Sequence, residues 1–372
     1  MREEMVIRGG KIVTPFEVRE ADIWIADGKI TRIAKDSLPK FSQAKPSVEV
    51  DAAGMYLLPG FVAVPDAPVY RLRERNDYLA GIRGFIKMGC TSLVDTFYAE
   101  TWMNHSQIEY QQTSHFNSPI DYVWHVGLDA RQLEGGEAGK WMKHSYPALH
   151  IKAKFAEEIS SINWETISGL HPSNKTILHL HVLPGSQARE ERERLLQNWL
   201  AATRYWKIRT VLSDSAAGHN LAEADPYYHI FRIKREWTER AMRQMYRHWF
   251  RSLPYIAPLH DVQLDIRRSW YGDEELLCLL VRLASANVAK AVGLYPKKGA
   301  LLPGADADII FLKKENWLTK CDVSTILNFS EWHFPTSVMS NGKWIYRDRR
   351  FCSSSVGWGR CLFDTKPYTY VI

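Results

Sequence analysis

Paired cysteines are missing from this chain. Its five cysteines (Cys90, Cys278, Cys321, Cys352, Cys361) are scattered and never form a CxxC pair. That argues against a disulfide framework or a zinc knuckle and fits a reducing, cytoplasmic setting. No apolar run reaches the roughly 18 residues needed to span a bilayer, so no membrane partner is expected. Met1-Arg2-Glu3-Glu4-Met5 leads straight into a strand pattern, without a basic stretch and apolar core, so no leader is expected. Phosphate-binding P-loops, G-x-G-x-x-G turns after a strand and G-x-S-x-G elbows are also absent. Charge of one sign is not in large excess: the formal net charge of +6 over 372 residues permits acidic partners without requiring them. Hydrophobic content of 45% excludes general disorder, and the length allows one large core or a barrel with a satellite domain.

What is present changes in period along the chain. Val6 to Thr14 reads as a hairpin around Gly9-Gly10. Ala21 to Ile33 reads as a second hairpin, with its turn at Asp27-Gly28 between alternating apolar residues. From Leu57 strands alternate with helices. Strands are expected at 57–64, 90–97, 120–127, 148–154, 176–183, 208–214 and 254–260, with an eighth around 262–267, and helices at 74–88 and 189–206. About eight such units argue for a (β/α)8 barrel, the open doubly wound sheet being the alternative.

The turn into this alternation carries a specific pattern. In Val50-Asp51-Ala52-Ala53-Gly54-Met55-Tyr56-Leu57-Leu58-Pro59-Gly60-Phe61, residues Asp51, Gly54, Pro59, Gly60 and Phe61 match the barrel entry V-D-A-x-G-x-x-V-x-P-G-x-I-D-x-H-x-H. Further on, Ala284 to Gly299 resembles a closing helix, Leu302 to Phe311 a G-x-D-A-D return strand, and Ser337 to Tyr346 a last hairpin. Gly89-Cys90-Thr91-Ser92-Leu93-Val94-Asp95 resembles the second barrel strand. Together these resemble the amidohydrolase superfamily, most closely the cyclic amidohydrolases of the dihydroorotase, hydantoinase and allantoinase group. The resemblance implies an α/β fold, a TIM-like barrel plus a small β-sandwich built from both chain termini. The implied divisions are 1–55, 56–298 and 299–372.

The resemblance also implies chemistry. Such proteins hydrolyse C–N bonds at one or two divalent metals, held by a strand-1 histidine pair, a carboxylated strand-4 lysine, histidines of strands 5 and 6 and a strand-8 aspartate. Here the strand-1 aspartate position is Ala63 and the two histidine positions are Pro65 and Ala67. Asp66 points the other way on a strand. Strand 4 offers Lys152 and Lys154, whose ordinary alternative is a solvated or ion-paired strand end. Strand 5 offers His179 and His181, two apart and on one face, whose alternative is a hydrogen-bonded core pair. Asp214 is the general-base candidate, whose alternative is a helix N-cap; His219 and His260-Asp261 are loop candidates. Cys90 suits a small buried hydrophobe better than a nucleophile. The expected cofactor is one zinc or other divalent ion, or none if the site is lost.

Residues 232–253 read as an amphipathic helix, Trp237, Ala241, Met245, Trp249 and Leu253 facing one way beside Arg240, Arg243, Arg247 and Arg251. It is an outer barrel helix or a partner surface; no nucleic-acid motif accompanies it. Three functions stay open: a degenerate, non-catalytic or partner subunit; a mononuclear hydrolase of non-peptide C–N bonds acting on a cyclic amide or ureide; and a cytoplasmic interaction scaffold. A homo-oligomer or protein partner is compatible with each.

Overall fold

A computed structural model describes residues 4–35, 48–65, 68–69, 78–144, 146–174, 176–183, 189–212, 225, 227–232, 255–256, 272–313 and 335–362. The strands are β1 (Glu4–Val13), β2 (Val18–Ala26), β3 (Lys29–Ala34), β4 (Val48–Asp51), β5 (Met55–Pro59), β6 (Phe61–Ala63), β7 (Cys90–Tyr98), β8 (Asp121–Asp129), β9 (Ala148–Ala153), β10 (Ile177–Val182), β11 (Thr210–Leu212), β12 (His229–Arg232), β13 (Tyr255–Ile256), β14 (Ile309–Lys313), β15 (Ser337–Ser340), β16 (Lys343–Arg347) and β17 (Arg350–Phe351). The helices are α1 (Tyr78–Lys87), α2 (His105–Gln111), α3 (Glu137–Met142), α4 (Ala156–Ser161), α5 (Trp164–Asn174), α6 (Arg189–Tyr205), α7 (Asp273–Val281) and α8 (Asn287–Ala291).

Both chain ends build one sheet, in the order β17-β16-β15-β14-β5-β1-β2-β3 with β4 beside β1. The hairpin at Asp27-Gly28 is as expected; both residues have positive φ, at 51° and 74°. The hairpin expected around Gly9-Gly10 is not formed. Residues 4–13 are one strand, and the register breaks between Ile7 and Gly10. Gly9, at φ 66°, turns its N–H to Asp22 Oδ1 at 2.9 Å, so the glycine pair makes a bulge instead of a turn.

The stretch expected as one strand at 57–64 is two. β5 pairs antiparallel with β14 in the first sheet, and β6 pairs parallel with β7 in the second. Gly60 lies between them, where a Cβ would sit 2.1 Å from Thr91 Oγ1. Only glycine lets the chain pass so close to β7 while changing sheets.

The second sheet has eight strands, β6 to β13, each parallel to its neighbour in chain order. It includes β12, a strand not expected from the sequence, and Arg232 ends that strand instead of opening a helix. The rest of the basic helix pattern, residues 233–253, and the strand expected at 262–267 lie outside the described residues.

Side-chain parity divides this sheet. Val62, Val94, Val123, Ala148, Ile177, Val211, Ile230 and Ile256, one from each strand, meet in one buried cluster with Val288, Ala291 and Val292 of α8 and its end. Eight successive parallel strands reach a common cluster only if the sheet curls, as in a barrel. The alternate residues, among them Leu149, Ile151, Leu178, Leu180 and Trp124, form the outer core with helix residues such as Ile82, Phe85, Leu195 and Trp199. No helix among the described residues is long and apolar enough to cross a membrane.

Candidate functional site: a buried histidine cluster

Moving two residues along a strand keeps the face and rises one layer. Two residues on from Val123, Ala148 and Ile177 are His125, His150 and His179. All three are buried, at 0%, 3% and 3% exposure. In the parallel ladder His150 stands opposite His179, and His181 opposite Lys152. Each of the three histidines offers a ring nitrogen within 4.8 Å of the other two.

The rings are connected. His125 Nδ1 lies 2.8 Å from His150 Nε2, and His150 Nδ1 lies 2.7 Å from His181 Nε2. His150 stacks on His179, with centroids 4.3 Å apart and planes at 14°. His179 Nε2 donates to the Ala291 carbonyl at 3.1 Å, which places its proton on Nε2 and leaves a lone pair on Nδ1. His125 is buried as well and is hydrogen-bonded toward the Val292 backbone.

The cluster is uncharged at neutral pH. Burial is the main cause, bringing His179 down to about 3, with Arg232 adding to it and the Ala291 carbonyl opposing. Burial, then the neighbouring His179, holds His125 well below its ordinary value, against a hydrogen bond with the Val292 backbone. Burial, then His179, His181, His125 and Arg232, does the same for His150. Arg232, two residues beyond Ile230 on β12 and 6% exposed, therefore belongs to this interior. Its Nη2 lies 3.5 Å from the Val64 carbonyl.

Of the residues singled out in the sequence, His179 is in the cluster. His181 is half-buried and one layer nearer the strand end, bonded to His150. Lys152 shares that layer, and its ammonium lies over the Tyr98 ring, 3.4 Å from the centroid. Lys154 lies past the end of β9 with its ammonium over Phe155 at 5.2 Å. Asp66, Ala67, Asp214, His219, His260 and Asp261 lie outside the described residues.

Sequence reasoning missed His125 and His150. Parity with Val123 and with Lys152 was the available signal, but no local motif links residues 25 and 29 positions apart.

Three neutral imidazoles with ring nitrogens this close fit a divalent transition metal by donor chemistry. Zinc binds imidazole at about 2.0–2.1 Å and needs the deprotonated ring.

The chain is similar to known proteins over part of its sequence and over its fold. The Amidohydrolase family model matches residues 250–345. A D-hydantoinase of Streptomyces coelicolor is 29% identical over 133 residues, 34% of this chain and 28% of that protein. A dihydropyrimidinase of Rattus norvegicus is 27% identical over 97 residues, 25% of this chain and 19% of that protein. The matches thus span less than a third of either relative. Among solved structures, the dihydropyrimidinase from Brevibacillus agri has a TM-score of 0.70 at 15% identity, covering 99% of this chain and 100% of that one. A triazine hydrolase variant has a TM-score of 0.61 at 15% identity, covering 94% of this chain and 96% of that one.

Proposed function

Because the chain belongs to the amidohydrolase superfamily and is similar to its cyclic amidohydrolases, we propose that it hydrolyses a ring C–N bond of a cyclic amide or ureide at one divalent metal inside the barrel. The observation that carries this reading is the buried, neutral histidine group on β8, β9 and β10, with donor atoms within 4.8 Å. A metal there would supply Lewis acidity, polarising a carbonyl and lowering the pKa of a bound water to about 7.

The protein's own residues do the rest. Burial keeps the imidazoles deprotonated, so they present lone pairs. The Ala291 carbonyl orients His179. His181 Nε2, bonded to His150 Nδ1, holds that ring's other edge. Lys152, one layer nearer the strand end, supplies a positive charge where a substrate enters. Asp214, which follows β11 in the chain, remains the proposed general base. The sheet from both chain ends is read as the small sandwich that flanks such barrels, and the setting as cytoplasmic.

One observation favours a second reading, a non-catalytic partner subunit. Pro65 and Ala67 stand where the family has its strand-1 histidine pair.

The test is hydrolysis of dihydrouracil, hydantoin and related ureides by protein loaded with zinc or cobalt. Chelator-sensitive ring opening that His179→Ala abolishes supports the hydrolase. Metal-loaded, folded protein that opens none of these rings favours the partner subunit.

A further inference from the structure

We infer that this chain holds a single d-block metal on His125, His150 and His179, one side-chain layer below the strand ends, and that Lys152, held over the Tyr98 ring, bridges no metals. The inference rests on the hydrolase reading for its purpose but not for the binding itself.

Three observations carry it. First, among the described residues the grouped donors are all imidazole nitrogens, with no carboxylate or thiolate. Such a set selects zinc, cobalt, nickel or copper over magnesium, calcium or manganese. Second, His179 is oriented through its Nε2–H by the Ala291 carbonyl, which leaves its Nδ1 lone pair free to bind a metal. Histidine ligands are ordinarily oriented in this way, by a hydrogen bond from the nitrogen that does not bind metal. Third, the Lys152 ammonium lies 3.4 Å from the Tyr98 ring centroid, a contact that attracts a cation. A carboxylated, negatively charged lysine would lose that attraction against the face of the ring.

The set closes without moving a strand. Zinc–nitrogen bonds of about 2.0–2.1 Å place tetrahedral ligands about 3.3–3.4 Å apart, well inside the 4.8 Å span. The His125–His150 hydrogen bond opens, and the stacked His150 and His179 rings re-aim about a soft terminal torsion.

The experiment strips the full chain with chelator and titrates it with cobalt(II), reading visible absorption and metal per chain. One cobalt per chain is expected, with the intense absorption of a tetrahedral ion, displaced by zinc and unaffected by magnesium or bicarbonate. His125→Gln and His179→Gln weaken binding about 100-fold or more, whereas Lys152→Gln leaves it unchanged. If the histidine variants do not fold, X-ray absorption of the native cobalt protein counts imidazole ligands, and three are expected. Two metals per chain, bicarbonate dependence, loss with Lys152→Gln alone, or no cobalt bound would each overturn the inference. A one-cobalt protein that opens no ring leaves the metal site standing and refutes only the hydrolase reading.

Discussion

Lys298→Met removes one cation from the middle of three carboxylates. The Lys298 ammonium lies 2.7 Å from Asp121, 3.0 Å from Asp306 and 2.7 Å from Asp308, all of them buried. Burial opposes its charge, but the three carboxylates outweigh that and raise its pKa. Arg360 also reaches Asp121 and Asp306, at 2.9 and 2.7 Å. Among the described residues, no second cation is paired with Asp308. Methionine keeps most of the side-chain length, so the substitution mainly strands that carboxylate. Breaking a buried pair from one side costs about 3–5 kcal/mol, which is the loss expected at pH 8.

The pH dependence gives the argument a second handle. Burial already pushes the Asp308 carboxyl up. Without Lys298 it rises further and takes up a proton. A carboxyl whose folded pKa exceeds its unfolded value stabilises at low pH and loses that contribution as pH rises through the folded pKa. The gap between variant and wild type should therefore narrow from pH 8 to pH 5. Asp308→Asn in the Lys298→Met background should recover about 1–3 kcal/mol, since the sites are coupled. Urea unfolding followed by tryptophan fluorescence measures each difference. A Lys298→Met protein within about 1 kcal/mol of wild type at pH 8, or a gap that does not change with pH, would refute the reasoning.

Other expectations follow from particular contacts. His115→Phe removes the 3.1 Å contact to buried Asp95, which keeps the Val69 and Thr96 N–H groups, and the 2.7 Å contact to Tyr78, so unfolding by urea should show a loss of about 1–3 kcal/mol. Gly127→Ala puts a Cβ 2.1 Å from the Tyr98 ring, the ring beneath Lys152; a stability loss of about 1–3 kcal/mol and weaker substrate binding are expected from melting and Michaelis constants. His229 is held down to about 4, chiefly by burial, with its Nδ1 accepting from the Asp225 N–H and its Nε2 beside Thr203 Oγ1. The unfolded chain takes up that proton first, so stability should fall between about pH 6.5 and 4, by up to roughly 3 kcal/mol. His229→Gln should flatten this part of the pH–stability curve.

Much of the fold was legible because its signals are local. Asp27-Gly28 needs only its own backbone to make a turn, and strand alternation placed β7 to β10 within a residue or two. Gly60 was visible as a break, but not as the point where the chain changes sheets, because that depends on Thr91 of the neighbouring strand. β12 escaped notice because four residues carry too little periodicity, and its Arg232 fitted a helix pattern equally well.

The site divides in the same way. The sequence by itself determined that His179 and His181 share one face of a strand, since parity is a property of one segment. It also determined that Val64, Pro65, Asp66 and Ala67 follow β6, with no histidine among them. Only the tertiary structure decided that His125 and His150 join His179, on three strands brought side by side in a curled sheet. Only it decided that Lys298 pairs with a carboxylate 177 positions away in the chain, that of Asp121. Metal-like donor sets and buried ion groups depend on distances of a few ångströms between strands, and those are set by register and curvature that no single strand encodes.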